Sequence, residues 1–161
     1  MQRIKRPFLW LLLAAMVVSL ILAGLAKPVS AAVTSTQYFS PDDIELRNTI
    51  ALDQNAITRS NVYKTNSNTM IITGTFSQVT SSTMKVTVEQ LSQSGGKWVT
   101  DSAHVSLGAV NVDSSNGLGN RFTTSGLNLF SGYNKITFTG MQGLLERSES
   151  FYVLYDQIPF I

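Results

Sequence analysis

The stretch that decides the fold reads GLNLFSGYNKITFTG from Gly126 to Gly140 and, after a polar turn, ERSESFYVLYD from Glu146 to Asp156. Apolar residues take every second position in both halves, namely Ile136 and Phe138 in the first and Phe151, Val153 and Tyr155 in the second. Alternation with a period of two is the pattern of a pleated strand with one buried face. The stretch therefore predicts two antiparallel strands and the tight loop that leads into them.

Segments with strand character recur upstream of this pair, separated by Ser, Asn, Asp and Gly clusters that indicate turns. They are Ala56–Lys64, Thr69–Phe76, Thr83–Leu91, Lys97–Thr100, Ala103–Leu107 and Arg121–Thr124. No interior segment sustains a helical period. Seven or eight antiparallel strands at this spacing predict an all-β sandwich or a small barrel.

Composition and charge exclude several classes of function. Four of the twelve basic residues precede Ala31 and all ten acidic residues follow it, so the remainder of the chain has a net charge of −2. Because no basic patch remains, we expect no nucleic-acid partner. The absence of cysteine excludes disulfides, thiolate metal sites and a cysteine nucleophile. We also predict no cofactor.

Residues 1–31 have the pattern of an export signal. A basic start at Met1–Arg6 precedes the apolar run Phe8–Ala26, and Val29-Ser30-Ala31 supplies the small residues of a cleavage site. We predict cleavage before Ala32 and a secreted, extracellular or cell-surface location. The alternative is an uncleaved anchor, because the apolar run would span about 28 Å as a helix. Only in that case do we expect contact with a membrane.

Residues 32–55 are predicted to form an N-terminal extension with a short helix. Ser40 can accept the free N–H of Asp43, and Pro41 suits the first helical position. The same segment places Ile44, Leu46, Ile50 and Leu52 at one parity, as a strand would. We expect the segment Tyr38–Asp53 to cover an edge or end of its own domain. The alternative is that it pairs with an edge of a neighbouring molecule.

The motif Gly132-x-Asn134-x-Ile136-x-Phe138, preceded by Leu-x-Leu and followed by an aromatic last strand, resembles bacterial Ig-like domains. Such domains occur in exported and cell-surface proteins of Gram-positive bacteria, often in tandem. The matching residues are Leu127, Leu129, Gly132, Asn134, Ile136, Phe138 and Gly140. The resemblance implies an Ig-like β-sandwich over residues 56–156, with residues 157–161 as a tail or a link to a further domain. It implies no ligand.

Five residues are the candidate site, four in or beside this motif and one, Trp98, on an earlier segment. Gly132 permits a positive φ, and the Asn134 side chain can bond to loop backbone and so determine where the strand starts. Trp98, Phe130 and Tyr133 lie near predicted turns, where exposed rings can stack on sugars or anchor a partner. Aromatic residues at turns more often close the end of a core, so both interpretations stay open.

Three polar groups suggest chemistry only weakly. His104, the only histidine, lies near Asp101, Ser102 and Ser106, but no Gly-x-Ser-x-Gly turn is present. Asp42, Asp43 and Glu45 are close in sequence, which helix capping explains as well as catalysis by paired carboxylates. The pattern Asp113-x-Ser115-x-Gly117 lacks the further carboxylates of a calcium loop. We therefore predict no catalytic and no metal-binding residues.

The sequence as a whole predicts a non-catalytic structural or adhesive module of an exported bacterial surface protein. Its expected partners are an extracellular protein or glycan, further Ig-like domains, or copies of itself. One alternative is a carbohydrate- or protein-binding module. A second is a self-assembling extracellular fibre subunit that uses the N-terminal extension.

Overall fold

The computed structural model describes residues 35–114 and 117–157, which all fall within one unit, Ala32–Ile161. The signal predicted at 1–31 and most of the tail predicted at 157–161 lie outside the described residues. The described chain is mostly strand, and its sheets are built almost wholly from antiparallel pairs. The all-β class predicted from the sequence is therefore confirmed.

One short helix and eleven strands make up the described chain. In chain order they are β1 (Phe39–Pro41), α1 (Ile44–Asn48), β2 (Tyr63–Thr65), β3 (Thr69–Met70), β4 (Thr73–Phe76), β5 (Lys85–Ser94), β6 (Lys97–Gly108), β7 (Val110–Asp113), β8 (Arg121–Thr124), β9 (Leu127–Asn128), β10 (Gly132–Gln142) and β11 (Leu145–Tyr155). Single 3₁₀ turns occur at Thr49–Ala51, Gln54–Ala56 and Ser81–Thr83.

The strands form three sheets. A four-stranded sheet has the order β1-β4-β8-β7, a five-stranded sheet has the order β2-β11-β10-β5-β6, and β3 pairs with β9. All pairs are antiparallel except β2–β11, which is parallel. The prediction of seven or eight strands, all antiparallel, is therefore wrong in the number of strands and in the direction of one pair.

Two of the predicted strands are divided or shortened. Thr69–Phe76 contributes β3 to the two-stranded sheet and β4 to the four-stranded sheet, with the chain turning between them. Within Ala56–Lys64 only the last residues pair, as the start of β2. The two segments predicted at Lys97–Thr100 and Ala103–Leu107 are one strand, β6, interrupted by a bulge. The register with neighbouring strands decides each of these boundaries.

The predicted strand pair at the end of the chain is the long hairpin β10–β11. It pairs without a break from Gly132↔Tyr155 to Gln142↔Leu145. Gly143, in the connecting turn, has a φ of 62°, which glycine adopts without a steric penalty. The end of β11 differs from the expectation of one buried face, because residues 151–155 are all buried. Both faces of this part of the sheet are therefore covered.

The main core lies where the four-stranded and five-stranded sheets contact each other. Phe138 of β10 stacks on Phe39 of β1 at 5.4 Å between ring centroids and contacts Phe122 of β8 at 5.2 Å. It also meets Phe151 of β11 edge-on at 6.0 Å. Burying each such ring contributes about 1.5–3 kcal/mol, so these four phenylalanines are a large part of the apolar driving force.

A second apolar cluster covers the opposite face of the five-stranded sheet. Leu91, Tyr152 and Leu154 point away from the main core, and Ile57 and Val62 from the segment before β2 pack on them. Burial, and to a lesser extent the charge of Asp53, raises the pKa of Tyr152 above its ordinary value. This cluster explains why the end of β11 is buried on both faces.

The segment Tyr38–Asp53 supplies a strand to the four-stranded sheet and bonds to the five-stranded sheet. Its first part is β1, which pairs with β4 at the edge of the four-stranded sheet. Thr49 Oγ1 then accepts the N–H of Tyr152 at 2.9 Å and donates to the carbonyl of Leu46 at 2.7 Å. The predicted helix start at Ser40-Pro41 is wrong, because these residues belong to β1. Asp43 caps α1 instead, its Oδ1 accepting the N–H groups of Glu45 and Leu46.

Candidate functional site

The structure brings Trp98 and Tyr133 together as an aromatic pair. Trp98 lies near the start of β6 and Tyr133 near the start of β10, and their ring centroids are 4.6 Å apart with planes tilted by 49°. Both rings are half-buried and pack against the second apolar cluster. The backbone of Trp98 is also held, since Gln54 donates to its carbonyl at 2.9 Å and Asn55 Oδ1 accepts its N–H at 3.2 Å. The pair therefore closes the end of this cluster while keeping part of each ring exposed.

Gly132 and Asn134 form the turn that leads into β10. Gly132 has a φ of 91°, where a β-carbon would be strained. The Asn134 side chain is fully buried, and its Oδ1 accepts the N–H of Phe130 at 2.8 Å. Its Nδ2 donates to the carbonyls of Phe130 and Gly132 at 2.7 and 2.9 Å. One amide thus satisfies three backbone groups of the loop and sets where β10 begins.

Phe130 lies apart from the Trp98–Tyr133 pair and contacts His104 instead. The two rings meet edge-on with centroids 5.5 Å apart. His104 belongs to a bulge of β6, because Glu89 pairs with Val105 and Leu91 with Thr100, which leaves four residues of β6 opposite Gln90. The three candidate aromatic residues therefore occupy two separate places and do not form one surface.

Asp101 and His104 form a hydrogen-bonded pair inside this bulge. His104 Nδ1 lies 2.7 Å from Asp101 Oδ2, and Asp101 Oδ1 accepts the N–H of Ala103 at 2.9 Å. The hydrogen bond to His104, followed by that to Ala103, holds the pKa of Asp101 below its usual range. Within the described residues, neither Ser102 nor Ser106 takes part in these bonds. The pair therefore has the geometry of a bulge stabiliser.

The acidic residues of the N-terminal segment have separate structural roles. Asp42 forms an ion pair with Arg121 of β8 and accepts the hydroxyl of Thr73 at 2.7 Å. The hydrogen bond from Arg121 is the main reason why the pKa of Asp42 is lowered. Asp43 caps α1, as described above, and Glu45 lies on the exposed side of that helix.

The described residues contain neither a cluster of metal ligands nor a membrane-spanning helix. In residues 35–114 and 117–157, no group of three or more acidic, histidine or cysteine side chains is placed to hold a metal ion. Ser115 of the weak calcium-loop pattern lies outside the described residues. None of the described helices is long and apolar enough to cross a membrane.

Glu149 is a buried residue that sequence reasoning missed. It lies on β11, and its carboxylate accepts three successive backbone N–H groups, from Gln37 at 2.5 Å, Tyr38 at 3.2 Å and Phe39 at 2.7 Å. The Glu149 carboxylate therefore ties the start of β1 to the last strand. No local pattern in the sequence identifies this contact, because the partners are more than 100 residues apart.

Comparison of the chain with family models, with curated proteins and with solved structures gives no match. The fold and the site geometry define the class: an all-β protein whose candidate residues chiefly stabilise turns, strand edges and a secondary core.

Proposed function

We propose that this chain is a non-catalytic structural or adhesive module of an exported bacterial surface protein, built on an Ig-like sandwich. The observation that carries the proposal is the use of the buried polar side chains. Thr49, Thr124, Asn134 and Glu149 all bond to backbone of their own chain. Because these groups are committed to the fold, they are not available for chemistry on a ligand.

The strand order supports the Ig-like part of the proposal. Ig domains have strands A-B-E-D in one sheet and G-F-C in the other, with C′ added beside C in variable-type domains. Taking the main strands in chain order, β1, β4, β8 and β7 occupy the A-B-E-D positions. In the same way, β11, β10, β5 and β6 occupy the G-F-C-C′ positions. The remaining strands β2, β3 and β9 are short additions to this arrangement.

The turn at Asn134 supports the same interpretation. Ig domains fix the start of strand F with a tyrosine whose hydroxyl bonds to backbone a few residues upstream. Asn134 lies at the start of β10, in the F position, and bonds to the backbone of Phe130 and Gly132. The disulfide of antibody domains has no counterpart, since the chain has no cysteine. Trp98 lies on β6 and not on β5, the strand in the C position.

Two experiments test this proposal. The first is cell fractionation of the native producer, with the N-terminus of the recovered protein determined by mass spectrometry. We expect the protein outside the cytoplasm with Ala32 at its N-terminus, and a cytoplasmic protein beginning at Met1 would overturn the exported role.

The second experiment replaces residues 35–157 in the producing cell with an unrelated Ig-like domain of similar length. A spacer role predicts that surface architecture survives the exchange, whereas an adhesive role predicts that adhesion is lost while export continues. Substrate turnover that the exchange abolishes would contradict a non-catalytic module of either kind.

The half-exposed Trp98–Tyr133 pair favours a glycan- or protein-binding module as the second candidate. Rings with one free face can stack on sugars or anchor a partner side chain. This function requires that Trp98→Ala abolish binding to a glycan array or to extracellular proteins at a temperature where the variant is still folded. The matched control is Val99→Ala, which changes an exposed neighbour on the same strand.

A further inference from the structure

The outer sheet edges of this protein differ in how they are protected. An unpaired edge strand offers free N–H and C=O groups to other chains, and monomeric proteins block it with short strands, lysine, proline or bulges. Edge strand β1 has three residues and ends in Pro41. Edge strand β2 also has three residues, with Lys64 at its centre. At both of these edges, pairing with another molecule is opposed.

The edge formed by β6 is longer, and only its first half is blocked. β6 has twelve residues and lies at the end of the five-stranded sheet. Near its start, Gln54 and Asn55 occupy the backbone groups of Trp98. The bulge with Asp101 and His104 then interrupts the strand. After the bulge, the described chain has no comparable block along Val105–Gly108.

The segment beyond the bulge has apolar side chains and no charge. Leu107 is 81% exposed and Val105 is 43% exposed. They pair with Thr87 and Glu89 of β5, so both side chains are on the outer face of the sheet. No Lys, Arg, Asp, Glu or Pro occurs between Asp101 and Asp113. The segment therefore lacks the residues with which edge strands normally repel one another.

We propose that the edge Val105–Gly108 pairs with the same edge of a second copy, giving a two-fold symmetric dimer. With the axis at Ser106, Val105 of each copy lies opposite Leu107 of the other. Opposite residues in an antiparallel pair point to the same face, so the four apolar side chains form one cluster on the outer face. The two five-stranded sheets become one continuous sheet, and the contact closes on itself without forming a fibre.

The symmetric placement of Val105 and Leu107 about Ser106 fits a second copy to this edge, and the lack of charge there permits the pairing. Self-pairing at Val105–Gly108 brings no like charges together, because the paired segments are uncharged. The same antiparallel arrangement centred on β2 would place Lys64 opposite Lys64 of the second copy. A pairing centred on Ser106 joins Val105–Leu107 of the two copies, three residues a side, which lies at the small end of protein interfaces, so we expect a weak dimer that forms in the micromolar to millimolar range. The proposal does not depend on the function proposed above.

Sedimentation equilibrium of the purified chain from micromolar to millimolar concentration tests the dimer, with the N-terminus identified by mass spectrometry. We expect the dimer fraction to rise with concentration. Leu107→Lys and Val105→Glu should each raise the dissociation constant by about tenfold or more, since each places a lone charge against an apolar side chain. The control is Leu144→Lys, at the tip of the β10–β11 hairpin, where Leu144 is 96% exposed.

Mixing the two edge variants tests the register. In the mixed dimer, the lysine introduced by Leu107→Lys in one copy lies opposite the glutamate introduced by Val105→Glu in the other. We expect association to recover to at least the wild-type level. Far-ultraviolet circular dichroism should be unchanged for every variant, and the melting temperature should fall only for Val105→Glu, whose carboxylate lies opposite Glu89 of β5. A wild-type chain that stays monomeric would overturn the proposal. So would a Leu107→Lys effect no larger than that of Leu144→Lys, or a mixture that does not associate.

Discussion

Asn134→Ala is expected to destabilise the protein more than any other change of a single polar side chain in the β9–β10 loop. The side chain is fully buried and makes three hydrogen bonds to loop backbone. Each bond contributes about 1 kcal/mol net, and a backbone group left without a partner costs about 1–3 kcal/mol. Because Phe130 and Gly132 are partly exposed, water can replace some of these bonds. We therefore expect the free energy of unfolding to fall by about 3–5 kcal/mol.

Urea denaturation monitored by circular dichroism measures this loss, with the midpoint falling and the slope unchanged. A domain of this size loses about 3–6 °C of melting temperature per kcal/mol, so the thermal midpoint should fall by roughly 9–30 °C. The matched control is Asn128→Ala, an exposed asparagine on β9, which we expect to change stability by about 0.5 kcal/mol or less.

A second substitution separates hydrogen bonding from loss of volume. Asn134→Asp keeps an acceptor for the N–H of Phe130 but turns a carboxylate oxygen toward two carbonyl oxygens. We expect it to be at least as destabilising as Asn134→Ala at neutral pH. If Asn134→Ala cost no more than Asn128→Ala, the assignment of this residue as the determinant of the β10 start would be wrong.

Three further predictions concern separate parts of the fold. Glu149→Gln should speed amide hydrogen exchange at Gln37 to Phe39 by about 10–100-fold, because the charge-assisted bonds that it weakens contribute about 1.5–3 kcal/mol. Hydrogen exchange measured by mass spectrometry checks this, with Glu146→Gln as the control. The lowered pKa of Asp42 predicts a contribution to stability that is present above pH 3.8 and is lost as the pH falls through the folded-state pKa. Asp42→Asn should therefore weaken the fall of the melting temperature at acid pH. An unchanged fall would contradict this. Trp98→Ala should lower the melting temperature more than Val99→Ala if the ring closes the second cluster, and equal effects would assign Trp98 to the surface.

The parts of the fold that follow local rules were predictable. The alternation in β5, β10 and β11 depends only on the period of the strand, and the structure has strands at all three places. The hairpin at Gly95-Gly96 also follows a local rule. Two-residue hairpin loops favour Gly-Gly because glycine adopts a positive φ readily, and both residues have a positive φ here. The Asn134 turn involves partners within four residues, so its chemistry is readable from the sequence.

The N-terminal segment shows where local rules compete. Ser40 and Asp43 are both good helix caps, and sequence alone favoured Ser40 because Pro41 follows it. In the folded chain Phe39 is fully buried in the main core, and β1 extends through Pro41 as it pairs with β4. Tertiary packing therefore assigns Ser40 to a strand and leaves the cap to Asp43.

The sequence by itself determined the all-β class, the long terminal hairpin and the tight turn that starts it. These features depend on side-chain periodicity and on backbone preferences that act over a few residues. Only the tertiary structure decided that β11 is buried on both faces, that Glu149 holds the start of β1, and that Trp98 and Tyr133 close a second cluster. It also separated Phe130 from the other two aromatic residues. Each of these contacts joins segments distant along the chain, and which segments become neighbours is set by strand order, which no local pattern encodes.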